Sequence, residues 1–302
     1  MNDPLQNIAT ITDGVAKLSE VLSKGVGGMY APTQIKRVAK ARIEVEKAAF
    51  DAEKEILQTI EENPNLFSKE NLLVRAIIKT GYRLTIEQDN IDSIIQQAYV
   101  QIDSIEANDH DIEDDWLSEF FEKVKNVSDK DIQFLWGQIL AGEVATPGVF
   151  SMYTLNMLKQ LDKTSAEKLI KFIKLSFDGV ICSTKTEVLN KFGLTVLDFT
   201  ILQDMGWIGQ HDIIRKTIKE GSVAVPIQGT NYFLYIINSK EFTLSFTPLT
   251  RASIEISNIK SYFTTPQDKF FFELAKPFKE KGCEVHLAVK SGMNQYKFIM
   301  DL

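Results

Sequence analysis

The sequence contains few of the residues that most often carry out chemistry, and it lacks the common catalytic motifs. Only two of its 302 residues are cysteine and only three are histidine. Cys182 and Cys283 stand far apart without CxxC spacing, which predicts two buried thiols in a reducing, cytoplasmic environment. The chain has no GxxxxGKS/T phosphate loop, no dinucleotide-binding glycine fingerprint, no nucleophile elbow and no HExxH motif. We therefore expect neither a cofactor nor a metal, and we favour a protein that is not an enzyme.

Long apolar runs and a basic leader segment are missing as well. The longest apolar runs, such as residues 232–238, are much shorter than the roughly 20 residues that a membrane-spanning helix needs. Near the N-terminus no basic stretch precedes an apolar one, so no secretory signal is predicted. The net charge of −7 disfavours nucleic acid as the main ligand, although it is compatible with a local basic face.

The N-terminal part of the chain is predicted to form an amphipathic helix and then a long helical arm. Apolar residues recur at helical spacing over 5–22, and this helix either packs on the body of the protein or lies on a membrane surface. After Pro32 neither proline nor glycine interrupts the chain, which predicts one long helix over 32–61. Its heptad-like apolar pattern is broken by Arg42 and Thr59, so the arm either mediates homo-oligomerisation or docks on its own chain.

Three domains are predicted, and together they make a mainly α protein. A long N-terminal helical arm (1–62) precedes a helical bundle (63–178), whose apolar residues recur at three- and four-residue steps. In the bundle Ser128 is predicted to cap one helix, which ends at Ala141 and Gly142, and Ser151 is predicted to start the next.

A smaller α+β domain (179–302) follows, in which two short helices, joined by a turn at Phe192 and Gly193, precede β-rich runs such as YFLYIIN. This order is typical of a winged helix-turn-helix, although the second helix contains Asp198 and Asp204 and no Lys or Arg. The pattern therefore favours protein packing over DNA recognition.

An acidic turn, NDHDIEDD over 108–115, offers several possible metal ligands. It lacks the spacing of a calcium-binding loop, and it leads into an apolar helix face that begins at Trp116. Acidic residues around the first turn of a helix interact favourably with the helix dipole, so we interpret the turn as a helix N-terminus. A metal-dependent nuclease that uses Asp111 or Asp114 is the alternative interpretation.

Three segments resemble a bacterial family known as domain of unknown function 2806. They are residues 25–48, which begin with GVGGMYAPTQ, residues 127–158, which contain FLWGQILAGEVATPGVFS, and SFTPLTRA over 245–252. Ser253 departs from the family pattern, where glycine usually stands, so a different turn is expected there. The resemblance implies structural or interaction-forming roles, and no catalytic role, for ten residues: Gly28, Tyr30, Pro32, Arg37, Trp136, Gly142, Glu143, Pro147, Gly148 and Ser151.

The resemblance brings no established activity, but it implies a biological setting. Proteins that look like this often occur with mobile elements and in defence against phage, an association of context and not of chemistry. Together with the predicted arm and the missing motifs, it leads us to expect a cytoplasmic, homo-oligomeric scaffold or sensor that acts through contacts with another protein in phage defence. The alternatives are a metal-dependent nuclease-type effector and a winged-helix DNA-binding regulator.

Overall fold

The computed structural model describes residues 17–22, 62, 72–102, 111–259, 268–293 and 295–302. The chain divides into two compact units, Met1–Gly148 and Val149–Leu302. The domain boundaries that the sequence suggests after residues 62 and 178 stay predictions.

The described part of the first unit consists of helices around an aromatic core. Residues 17–22 are helical, and three longer helices follow: α1 (Leu72–Ile102), α2 (Asp114–Val124) and α3 (Lys130–Ala145). The Phe120 ring of α2 lies 5.2 Å from Trp116 and 5.5 Å from Trp136 of α3, measured between centroids. Helices α1 and α3 approach closely at Gly137, where a Cβ atom would lie only 2.4 Å from the Cβ atom of Gln97. The missing side chain at this position therefore allows the two helices to pack together.

The second unit contains six described helices. They are α4 (Met152–Leu158), α5 (Lys163–Lys174), α6 (Thr186–Lys191), α7 (Val196–Asp204), α8 (Arg251–Ile256) and α9 (Asp268–Lys279). Helices α4 and α5 begin after Ser151 and Asp162, whose side chains accept hydrogen bonds from backbone N–H groups of the first turn. The turn between α6 and α7 lies at Phe192 and Gly193, as predicted, and Gly193 has a positive φ of 62°.

Eight described strands form two antiparallel sheets of four strands each. Their bounds are β1 (Ser176–Phe177), β2 (Val180–Ile181), β3 (Ile214–Ile218), β4 (Gly221–Pro226), β5 (Tyr232–Asn238), β6 (Phe242–Pro248), β7 (Glu284–Gly292) and β8 (Gln295–Asp301). The strand order is β1-β2-β6-β3 in one sheet and β4-β5-β7-β8 in the other. The hairpin of β4 and β5 is thus inserted between β3 and β6, which pair with each other over the full length of β3. Helix α9 packs on the second sheet against β7 and β5.

The predicted mainly α fold is wrong, because the two sheets make the described protein a mixed α+β structure. One reason is that β3 has the sequence IRKTI, whose Arg and Lys weaken the sequence pattern of a strand. The strand is stabilised by its pairing with β6. The residues predicted to form the helical arm, 32–61, lie outside the described part, where the longest helix is the 31-residue α1. Of the helices that the structure describes, none combines the length and apolarity needed to cross a membrane.

Candidate protein-contact surface

Helix α7 is fixed at its N-terminus by a reciprocal pair of hydrogen bonds. The Asp198 backbone N–H donates to Thr195 Oγ1 at 3.1 Å, and the Thr195 backbone N–H donates to Asp198 Oδ2 at 2.7 Å. Partial burial acts to raise the pKa of Asp198, but hydrogen bonds from Thr195 and the nearby Lys168 ammonium outweigh it and hold this pKa below its usual range. Phe199 of α7 is buried, and its ring centroid lies 6.0 Å from that of Phe172 of α5. The helix is therefore held rigidly on its inner side.

The outer side of α7 carries three aliphatic side chains that are exposed to solvent. Val196 is 49% exposed, Leu197 67% and Ile201 42%. Their positions place them on one side of the helix, and we call these three residues the α7 face. The helix sequence, VLDFTILQD, contains no Lys or Arg. The exposed polar residues Thr200 and Asp204 lie among these three. Exposed apolar groups rimmed by polar residues occur at sites of contact with other molecules.

The C-terminal end of α7 is anchored by the loop that follows it. Trp207 is fully buried, and its backbone carbonyl accepts hydrogen bonds from Thr250 Oγ1 at 3.0 Å and from Ser253 Oγ at 2.6 Å. Ser253 lies inside α8, so the different turn expected there is wrong. Gly206 has a φ of 81°, and a Cβ atom on it would lie 3.3 Å from Met157 Cε of α4. The end of α7 is thus held against both α4 and α8.

Helix α4 is joined to α8 by Glu255, a residue that the sequence did not single out. Glu255 Oε2 accepts hydrogen bonds from the Ser151 backbone N–H at 2.7 Å, from Ser151 Oγ at 2.9 Å and from Thr154 Oγ1 at 2.6 Å. Its Oε1 atom accepts one from Arg251 Nε at 2.6 Å. Burial acts to raise the pKa of Glu255, but these bonds hold it below its usual range. The predicted residue Ser151 therefore belongs to a largely buried polar junction.

Five predicted residues lie in the first unit, on α3 and the turn after it: Trp136, Gly142, Glu143, Pro147 and Gly148. Trp136 is fully buried against Phe120. Gly142 lies inside α3, which runs on to Ala145, although the sequence predicted that the helix would end there. Glu143 is buried, and its Oε1 accepts a hydrogen bond from the Gly148 backbone N–H at 2.5 Å, where the φ of Gly148 is 85°. The structure thus brings Glu143 and Gly148 together in one turn.

The other four predicted residues, Gly28, Tyr30, Pro32 and Arg37, lie outside the described part of the chain. None of the ten belongs to the α7 face. The sequence signal for this face is the complete lack of Lys and Arg in α7.

Groups that could serve metal chemistry are not assembled in the described residues. Among them no set of three or more His, Cys, Asp or Glu side chains is placed to hold a metal ion. In the acidic turn, Asp114 and Asp115 lie in the first turn of α2, which agrees with the predicted helix N-terminus. Asp111 forms an ion pair with Lys17 at 2.9 Å.

Groups that could serve nucleophilic catalysis are also poorly arranged. His211 Nε2 lies 2.8 Å from Thr184 Oγ1, the spacing of a base and a hydroxyl nucleophile. However, Asp212 Oδ2 lies 3.5 Å from His211 Nδ1, too far for a good hydrogen bond, and both side chains are exposed. Cys182 and Cys283 are buried, as predicted, and burial raises the pKa of the Cys182 thiol to about 12.

Comparison with known proteins bears on the family. Residues 74–190, less than half of the chain, match the family model described as protein of unknown function (DUF2806). The match includes the predicted segment 127–158 but not the segments 25–48 and 245–252. The chain matches no curated protein and no solved structure. The match over residues 74–190 confirms the resemblance to DUF2806 that was stated from the sequence.

Proposed function

We propose that this protein is a non-enzymatic scaffold or sensor that acts through protein contacts, and that the α7 face is one of its contact surfaces. The observation that carries the proposal is the exposure of Val196, Leu197 and Ile201 on a rigidly held helix. Fully burying an exposed aliphatic side chain of this size contributes roughly 1.5–3 kcal/mol, and these side chains, which are about half exposed, would contribute roughly half of that each. Such a surface is suited to an apolar protein partner.

The position of α7 supports a contact role, and its lack of Lys and Arg favours a protein partner over DNA. In the winged helix-turn-helix order that the sequence predicts for this part of the chain, α7 takes the place of the recognition helix. A helix that reads DNA contacts bases and phosphates mainly through Arg, Lys and polar side chains. Helix α7 presents aliphatic residues at this place, so a protein surface suits it better.

The biological setting follows from the family resemblance. We place the proposed scaffold in bacterial phage defence, acting in the cytoplasm as a homo-oligomer. The predicted arm over 32–61 is a second candidate contact element, and it lies outside the described residues. The exposed α7 face permits a test of the contact role that does not depend on the arm.

The test is a plating assay with a panel of phages on bacteria that express the full chain. A Leu197→Glu/Ile201→Glu variant places two charges on the α7 face, and a Met293→Glu/Ile299→Glu variant places two charges at other exposed apolar positions of the same unit. We expect the wild type and the control to protect the cells and the α7 variant to lose protection, with all three folded by circular dichroism. Equal protection by both variants would refute a role of the α7 face in defence. Failure of the wild type itself would refute the defence setting.

A further inference from the structure

Three helices of the second unit bring five lysines into one region, and two of these lysines lie over a pair of phenylalanine rings. Phe192 and Phe270 stack with their centroids 4.4 Å apart. Lys269 Nζ lies 5.4 Å from the first ring and 5.7 Å from the second, and Lys174 Nζ lies 6.0 Å from the second. We call the whole set the basic cluster: Lys171 and Lys174 on α5, Lys191 on α6, and Lys269 and Lys276 on α9.

Lys171 belongs to the cluster through the turn that separates α6 from α7. Its Nζ lies 3.7 Å from the place where a Cβ atom on Gly193 would stand. Gly193 directly follows Phe192, the first ring of the stacked pair. The cluster therefore extends from the end of α5 across this turn to α9.

The cluster carries more positive than negative charge. Glu273 Oε1 accepts hydrogen bonds from Lys191 Nζ and Lys276 Nζ, both at 2.6 Å, so two ammonium groups share one carboxylate. Within the described residues, Lys171, Lys174 and Lys269 form no ion pair with a carboxylate. Lys174 and Lys269 instead lie over aromatic rings, which stabilise an ammonium without neutralising it. Their charges remain available to an anion.

Helix dipoles explain part of this arrangement. Lys171, Lys174, Lys191 and Lys276 lie in the last turns of their helices, where a cation interacts favourably with the dipole. Lys269 lies at the opposite end, in the first turn of α9, where the dipole disfavours a cation. Burial also lowers the pKa of Lys174, so its charged form is destabilised in the free protein. A bound anion would relieve both costs.

An exposed aromatic side chain lies beside the cluster on α9. Phe272 is 44% exposed, and it lies three residues after Lys269 and four before Lys276, so all three share one side of the helix. A ring among lysines is the combination that binds single-stranded nucleic acid, in which cations contact phosphates and aromatic side chains stack on bases. The neighbouring rings of Phe270, Phe271 and Phe278 are buried, so α9 does not offer the broad apolar face that a membrane-surface helix needs.

We propose that the basic cluster and Phe272 bind single-stranded nucleic acid, with the lysines on the phosphates and one base stacked on Phe272. This inference goes beyond the proposed scaffold function, because it names a ligand for a different surface. It also shows why a net charge of −7 is a poor guide here, since the average conceals a local excess of lysine.

The test measures binding of the full chain to labelled single-stranded DNA and RNA of about 16 nucleotides by fluorescence anisotropy over a range of salt concentrations. Each phosphate contact contributes about −0.7 to the slope of log affinity against log salt. A Lys171→Gln/Lys269→Gln variant should weaken binding tenfold or more and reduce the magnitude of the slope by about 1.4. A Phe272→Ala variant should weaken binding by roughly fivefold or more and leave the slope unchanged.

Matched controls separate the cluster from general charge. A Lys240→Gln/Lys297→Gln variant removes the same charge from exposed positions of the same unit, and Phe298→Ala removes another exposed ring. Both should bind as the wild type does. The proposal is overturned if neither nucleic acid binds, if the control lysine variant weakens binding equally, or if only anionic vesicles or an acidic polypeptide bind at the cluster. The Leu197→Glu/Ile201→Glu variant should retain nucleic-acid binding, so failure here and failure of the contact role are distinguishable.

Discussion

The Ser151 backbone N–H donates a hydrogen bond to Glu255 Oε2 at 2.7 Å, although the two residues are 104 positions apart in the chain. The Ser151 hydroxyl donates a second hydrogen bond to the same oxygen at 2.9 Å. One carboxylate therefore holds the start of α4 against α8. Helix α4 also lies close to the end of α7, because Met157 packs next to Gly206.

Removing the Glu255 charge should destabilise the second unit. Glu255→Gln keeps the size of the side chain but weakens charge-assisted hydrogen bonds to Ser151, Thr154 and Arg251, so we expect a loss of about 2 kcal/mol in the free energy of unfolding at pH 7. Urea unfolding measures it, and the exposed Glu220→Gln is the control. A loss as small as that of the control would contradict the assigned role.

The pH dependence of the same pair provides a separate check. Because the folded protein lowers the pKa of Glu255, the carboxylate contributes stability above its unfolded value of about 4.3, and this contribution is lost as the pH falls further through the folded pKa. The stability difference between the wild type and Glu255→Gln should therefore stay constant near neutral pH and shrink as the pH falls below the unfolded value of about 4.3. A constant difference would show that the carboxylate does not titrate as described.

The crossing of α1 and α3 should not tolerate a methyl group at Gly137. A Cβ atom there would lie 2.4 Å from Gln97 Cβ and 3.1 Å from the backbone of Ala98 and Ile94, so Gly137→Ala should lower the stability of the first unit by about 1–3 kcal/mol. The matched control is Gly81→Ala in α1, where no atom lies within 4 Å. That change should stabilise the helix by about 0.5–1 kcal/mol. Thermal unfolding distinguishes the two signs, and a stabilising Gly137→Ala would contradict the close crossing.

Local chemistry was largely predictable from the sequence, whereas contacts between distant residues were not. Ser151 as a helix N-cap and the turn at Phe192 and Gly193 were both confirmed, because they depend on neighbouring residues. The capping pattern predicted Ser128 before α3, but the cap is Asp129, whose carboxylate accepts from two backbone N–H groups. The prediction was thus one residue off, because Ser128 and Asp129 can both accept hydrogen bonds at a helix N-cap.

Strand β3, Glu255 and the basic cluster depend on pairing or packing that no local pattern reveals. Strand β3 is stabilised by pairing with β6, more than twenty residues away, and Glu255 bonds to a helix start that lies 104 positions earlier in the chain. The lysines of the cluster come from three helices and adjoin one another only after folding. The predicted site residues followed the family resemblance, so several lie on α3 and its turn and none lies on the α7 face.

The two cysteines should be unreactive in the folded protein. Cys182 and Cys283 are both buried, and burial raises the pKa of both thiols, that of Cys182 to about 12. Since the thiolate is the reactive form, neither should react rapidly with a thiol reagent at pH 8. Both should react when the chain is unfolded in urea. Rapid labelling of either cysteine in the native protein would contradict its burial.

Contact through the α7 face is the central claim, and site-specific photo-crosslinking in living cells tests it most directly. A photoreactive amino acid is placed at Leu197, and in a second strain at Ile299, an exposed residue of the same unit outside the α7 face. We expect a discrete protein adduct from position 197 and none from position 299, and an adduct of twice the chain mass would identify a second copy as the partner. Equal labelling at both positions, or no adduct at position 197, would contradict the claim.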